Sequence, residues 1–162
     1  MTPFDYPSQP HVRRHGPMGY ATPESFRPWL RDEFTFRCVY CLRRERWEPG
    51  HTNFEIDHLL PVAERPDLAL NYDNLLWTCD VCNSVKGPRT VADPCQALLA
   101  GNLTIEADGQ IIGRTPDARR IIVVLGLNDH EFVEYRKRWI RIVALARQYD
   151  PALYHQLLGF PV

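Results

Sequence analysis

Hydrophobic positions along this chain come in short bursts, and their spacing changes several times. Residues 1 to about 21 are rich in Pro, Gly and His and carry no period, which predicts an arm that lies on the surface or is partly disordered. Residues 22 to 36, TPESFRPWLRDEFTF, predict a short helix that docks through Trp29, Leu30, Phe34 and Phe36. Thr22 can cap it, Pro23 suits its first position, and Pro28 would kink or restart it. RERWEP and FEIDHLLP then predict two strands joined through GHTN, a turn composition, with Phe54, Ile56, Leu59, Leu60 and Val62 facing inward. A loop over ERPDLALNYDN follows, and CDVCNSVKG predicts a short helix closed by Gly87 and Pro88.

After Pro94 the chain changes character. LTIEADGQIIG predicts a hairpin turning at Asp108-Gly109, and Thr115-Pro116 caps a helix over ARRIIVVLGL. Asn128, with Glu131 three residues later, has the spacing of a capping box. The helix it would start, EFVEYRKRWIRIVALARQY, aligns Phe132, Tyr135, Trp139, Ile142 or Val143, and Ala146 on one stripe, the pattern of ordinary core packing. Asp150-Pro151 opens a last short helix ending at Gly159. The expected class is α+β, in three parts: an N-terminal arm and short helix over 1–36, a core over 37–92, and a hairpin plus helical extension over 93–162.

Composition narrows the picture only a little. The 162 residues suit one domain with an appendage, and a 44% hydrophobic content is enough for a core. No apolar run is long enough for a membrane span, and MTPFDYPSQPHVRRHG has no apolar signal region, so a cytoplasmic protein with no membrane partner is expected. The formal net charge of −1 gives no global basic signature. The basic residues are nearly all arginine, with only Lys86 and Lys137 as lysines. Arginine forks onto phosphate, but a GC-rich genome produces the same bias.

The cysteines add more. Cys38-Val-Tyr-Cys41 and Cys79-Asp-Val-Cys82 are two C-x-x-C pairs, which in a reducing compartment point to metal rather than disulfides. Four thiolates suit one tetrahedral zinc, and Arg37, Arg43, Arg44 and Arg46 lie close enough in sequence to offset its local negative charge. A redox pair is the alternative. Cys95 has no partner by spacing and reads as a small buried hydrophobe.

Between the pairs, Asp57 and His58 interrupt the apolar run FEIDHLLPV, where a carboxylate is costly unless it is paired or holds a metal. The series C-V-Y-C … E-I-D-H-L-L-P-V … N-Y-D-N-L … C-D-V-C-N-S-V-K-G resembles the HNH endonucleases, the ββα-metal or His-Me finger nucleases, in the subgroup that holds its motif between two zinc-binding C-x-x-C pairs. The resemblance covers about residues 37 to 90, roughly a third of the chain. The last motif position is His or Asn in that family and Asn83 here, so the chain resembles an H-N-N variant. The resemblance implies a small zinc-bound ββα-metal core, with Asn74 pinning the loop and orienting the general base. It also implies products with 5′-phosphate and 3′-hydroxyl ends. Asn71 is a nearby competitor, but the nine residues from Asn74 to Asn83 fit the family spacing better.

The chemistry is consistent with this. Phosphodiester hydrolysis needs a water activated on one side of phosphorus and charge relief at the leaving oxygen on the other. Neighbouring strand residues point to opposite faces, so Asp57 and His58 can serve opposite ends of one in-line displacement. His58 can take the proton from water, while Asp57 and Asn83 can hold Mg²⁺ or Mn²⁺. Lys86 and Arg89, with Arg43 and Arg44, are candidate nucleic-acid contacts, or else solvated charge, and His51 could line the groove. Arg136, Lys137, Arg138, Arg141 and Arg147 could follow a DNA backbone or form a solvated helix face, and Arg13 and Arg14 could reach a groove. The expected function is metal-dependent endonucleolytic hydrolysis of DNA, most simply double-stranded DNA, by a homodimer or within a defence or mobile-element complex. The alternatives are a zinc-knuckle module that only binds nucleic acid, and a nuclease of the same fold directed to RNA.

Overall fold

A computed structural model describes residues 2–14, 16–48 and 53–159. The N-terminal arm is anchored at its start, where Phe4 and Tyr6 are buried, at 1% and 7% exposure, in the same core as the rest of the chain, while residues 7–10 lie exposed on the surface. A 3₁₀ turn over Pro23–Phe26 leads into helix α1, Arg27–Glu33. Pro28 sits in the first turn of α1, where its missing N–H is not needed. The Thr22 side chain makes no backbone cap and meets Ser25 Oγ instead. Phe26, Leu30 and Phe34 face the core, whereas Trp29 is half exposed.

The strand pairing differs from the expected one. Strand β1, Phe54–His58, pairs antiparallel with β2, Leu75–Cys79, in the register Ile56↔Trp77, Asp57↔Leu76 and His58↔Leu75. In the described part of RERWEP, Glu45–Trp47 forms a 3₁₀ turn rather than a strand. Its side chains serve a distant element, helix α6, Pro151–Leu158. Arg46, Trp47 and Arg44 donate to the carbonyls of Gln156, Leu157 and Leu158 at 2.7, 2.9 and 3.1 Å. The last carbonyls of a helix lack intrahelical N–H partners. Trp47 also stacks on Trp139 at 4.2 Å. The expected turn GHTN falls largely outside the described residues.

Helix α2, Asp80–Lys86, follows β2 directly and ends at Gly87. After a short helix α3, Pro94–Ala97, strands β3, Leu103–Ile105, and β4, Ile111–Gly113, form the expected hairpin. Its turn needs glycine: Gly109 has φ of 87°, and a Cβ there would come within 2.5 Å of Val133 O. Thr115 caps helix α4, Pro116–Val124, through Ala118 N. Asn128 does not cap helix α5, His130–Tyr149, whose N-cap position is Asp129. It bonds instead to both main-chain groups of Ile111, at 2.9 and 2.8 Å, and so ties the hairpin to the α4–α5 connection. Phe132, Val143 and Ala146 of the α5 stripe are buried, with Tyr135 and Trp139 packed partly against the core. No described helix is long and apolar enough to cross a membrane.

Candidate active site and metal centre

The hairpin β1–β2 and helix α2 bring the cysteine pairs together. The four sulfurs of Cys38, Cys41, Cys79 and Cys82 lie within 4.8 Å of one another and are buried. Cys41 Sγ and Cys79 Sγ are 3.7 Å apart, much too far for a disulfide. A tetrahedral zinc with bonds of about 2.3 Å would place its sulfurs about 3.8 Å apart, so the set fits a structural zinc. Leu42, at φ of 58°, turns the first knuckle back so that its N–H reaches Cys38 O at 3.0 Å. Cys79 N-caps α2 and accepts from Cys82 N at 3.5 Å. Burial alone would raise the Cys38 thiol, but its three thiol neighbours hold it well below the usual range, while hydrogen bonding to Cys38 pushes Cys41 and Cys82 well above it. Such crowding disfavours a second thiolate unless a cation is present.

Helix α2, which carries Cys82, also crosses the β1 face that carries Glu55 and Asp57. Two polar rungs join them. Asn83 Nδ2 donates to Glu55 Oε2 at 2.5 Å, and Lys86 Nζ donates to Asp57 Oδ1 at 2.9 Å. Lys86 also reaches His58 O at 2.9 Å, and Tyr40 OH donates to Asp57 Oδ2 at 3.1 Å. Lys86 and Asp57 are almost fully enclosed, at 1% and 6% exposure. Burial pushes the Asp57 carboxyl above the ordinary range, and Lys86 and Tyr40 reverse only part of that shift.

His58 is half-buried at the end of β1, and its Nε2 lies 3.0 Å from Ala69 O. A carbonyl oxygen can only accept, so this contact places an N–H on Nε2, and in the neutral ring the lone pair is then on Nδ1. The loop that supplies Ala69 is fixed by Asn74, itself 5% exposed. Asn74 Oδ1 accepts from Leu60 N at 2.9 Å, and its Nδ2 donates to Leu60 O at 3.1 Å and Leu68 O at 3.4 Å. Asn71 only caps its own local turn.

Of the four residues expected first to meet nucleic acid, Lys86 and Arg44 are buried, Arg43 is half-buried and Arg89 is exposed. Lys86 belongs to the Asp57 rung, and buried Arg44 serves the end of α6. Burial and neighbouring Arg37 bring the Arg44 guanidinium down to about 10. Arg43 lies over the Tyr135 ring and near Glu48 and Asp80. Burial would lower its pKa, but the Cys79 and Cys41 sulfurs outweigh that and raise it. Arg89 is exposed and folds back onto the carbonyls of Val85 and Lys86. Arg13 donates to Tyr72 O and Leu75 O, and Arg136 is 1% exposed beneath the β3–β4 turn. His51 lies outside the described residues.

Two site residues were not anticipated. Glu55 shares the Asp57 face by strand alternation, a signal present in the sequence. Tyr40 lies inside the first C-x-x-C, and only the folded knuckle aims it at Asp57.

Residues 38–89 match the family model described as HNH endonuclease. The Septu protein PtuB of Bacillus thuringiensis is 41% identical over 51 residues, which is 32% of this chain and 19% of that protein. The match therefore spans about a fifth of the relative's length. This segment is an HNH endonuclease domain with the cysteine cluster of a zinc-binding member.

Proposed function

We propose that this HNH endonuclease domain hydrolyses the phosphodiester bonds of DNA, double-stranded DNA first, and leaves 5′-phosphate and 3′-hydroxyl ends. The supporting observation is the fixed tautomer of His58. With Nε2 held by Ala69 O, Nδ1 is the atom that takes a proton from the attacking water. The carbonyl then stabilises the imidazolium, and Asn74 keeps the loop carrying that carbonyl in place. Asp57 and Asn83, on the α2 side of the hairpin, are the proposed holders of a divalent ion. Their oxygen donors suit a hard cation such as Mg²⁺ or Mn²⁺. Asn83 would offer Oδ1, which accepts no hydrogen bond from the described residues, and Asp57 an oxygen now held by Lys86 or Tyr40. When bound, such an ion supplies charge relief at the scissile phosphate and leaving oxygen. The sulfur centre has no open position and takes no part in the reaction.

A domain that only bound nucleic acid would not need Asp57, His58 and Asn83 together. The test is incubation of supercoiled plasmid with Mg²⁺ or Mn²⁺, with structured RNA offered in parallel. Wild type is expected to nick or linearise the plasmid, and His58→Ala to lose about 10²-fold or more in rate while still binding DNA. Wild type that binds but never cuts across several metals would overturn the proposal, and selective cleavage of RNA would redirect it. One such site cuts one strand, so double-strand cleavage calls for a second copy or a partner complex, which the ratio of nicked to linear product and the solution mass would reveal.

A further inference from the structure

We propose that Glu55 is a positioning residue for the divalent-ion site, acting through Asn83; the inference rests on the proposal above. A primary amide offers an oxygen or a nitrogen to a cation, and only the oxygen binds it. What lies beside the amide decides which end faces the ion. A carboxylate oxygen accepts, so Glu55 draws the Nδ2 end of Asn83 towards itself, at 2.5 Å, and turns Oδ1 the other way. Oδ1 then accepts no hydrogen bond from the described residues.

The main chain reinforces this geometry. Thr78 Oγ1, opposite Glu55 in the strand pair, donates to Glu55 O at 3.3 Å, and Asp80 N bonds Asn53 O at 2.9 Å where α2 begins. The Asn83–Glu55 rung therefore joins two elements that are already in register. It differs in kind from the neighbouring rung. Lys86–Asp57 is an enclosed ion pair, whereas Glu55 is exposed and its other oxygen faces no described donor. An exposed surface contact of this sort adds little stability, so a role in aiming a ligand accounts for it better than a role in holding the fold.

The test measures Mn²⁺ binding by calorimetry on zinc-loaded protein without DNA, so it does not depend on cleavage. Glu55→Ala is expected to weaken Mn²⁺ binding about 10- to 100-fold, the usual cost of removing a group that orients a ligand, with unchanged zinc content and melting temperature. Glu55→Gln keeps an acceptor oxygen for Asn83 and is expected to stay within about 3-fold of wild type. In an Asn83→Ala background, Glu55→Ala is expected to cost nothing further. Three results would overturn the role of Glu55: Mn²⁺ affinity untouched by Glu55→Ala, a loss in Glu55→Gln as large as in Glu55→Ala, or the full loss persisting without Asn83. The second and third would make the carboxylate itself the ligand. Wild type that binds no Mn²⁺ would refute the ion site itself, a distinct outcome.

Discussion

Replacing Lys86 with methionine removes the ammonium from Asp57 while keeping most of the side-chain volume. In a medium of effective dielectric about 20, charges 2.9 Å apart attract by about 6 kcal/mol. That is not the pair's net worth, because enclosing both groups costs nearly as much, and Asp57 remains above the ordinary carboxylate range despite its partner. Breaking the pair is a different matter. Asp57 would be left buried with Tyr40 and the His58 backbone as its donors among the described residues. It can escape by taking up a proton, and this caps the penalty. For a group whose unfolded pKa is about 3.9, protonation costs about 4 kcal/mol at pH 7 and about 1.5 kcal/mol at pH 5. In the variant the folded pKa of Asp57 is raised further, so stability falls as pH rises from the unfolded towards the folded value. The expected result is a loss of about 3–4 kcal/mol at pH 7 that shrinks towards pH 5, with Asp57→Asn in the same background recovering much of it. Urea unfolding of zinc-loaded protein at both pH values checks this. A penalty below about 1 kcal/mol at pH 7, or one independent of pH, would refute the view of Lys86 as the counterion of an enclosed carboxylate.

Removing the metal from the cysteine cluster, by chelation or Cys79→Ser, should unfold the hairpin and α2 together. Four-thiolate centres contribute on the order of 10 kcal/mol to folding, and the loss should appear in near-ultraviolet dichroism alongside release of one zinc per chain. Asn74→Ala should leave Leu60 N and O unsatisfied, cost about 1–3 kcal/mol, and slow cleavage by loosening the Ala69 carbonyl behind His58; unfolding and rate measurements together check both effects. Burial alone would raise Glu33, but bonds from Tyr72, His11 and Arg14 N and the charge of Arg13 hold it below its ordinary 4.5. Its stabilising contribution is therefore complete above that value and lost as pH falls through the lower folded one. Glu33→Gln should flatten the acid limb of a melting-temperature profile, and an unchanged limb would argue against this network.

The parts of the fold that were legible in the sequence are those fixed by local or covalent chemistry. The C-x-x-C pairs can close around an ion in few ways, and Asp108-Gly109 and Thr115-Pro116 each act within a few residues of themselves. The partner of β1 was hidden because Leu75–Cys79 is buried at every position and shows no alternation, and because the loop before it is long. RERWEP misled for the opposite reason. It is charged around a single Trp and resembles an exposed strand, yet Arg44, Arg46 and Trp47 are placed to satisfy carbonyls about 110 residues away in sequence. Asn128 likewise carried a local capping signal that lost to a bond with Ile111. Local pattern reports local partners, and these residues have distant ones.

The same contacts explain how an HNH domain can sit in a chain of net charge −1. Arginine is abundant, but many of its guanidiniums serve as internal counterions and donors. Arg13 faces Glu33, Arg31 forks onto fully buried Glu45, Arg43 lies by the sulfur cluster, and Arg44 and Arg136 hold carbonyls. Lys86 serves Asp57 in the same way. These cations are removed from the surface field, so arginine content says little about attraction to phosphate. Exposed Lys137, Arg138, Arg141 and Arg147 on α5 remain available to solvent, with Lys137 partly engaged by Glu134. On the function proposed above, the oxygen donors on the β1–α2 face are where a divalent cation would enter the site, and this gives the aim of Asn83 its importance.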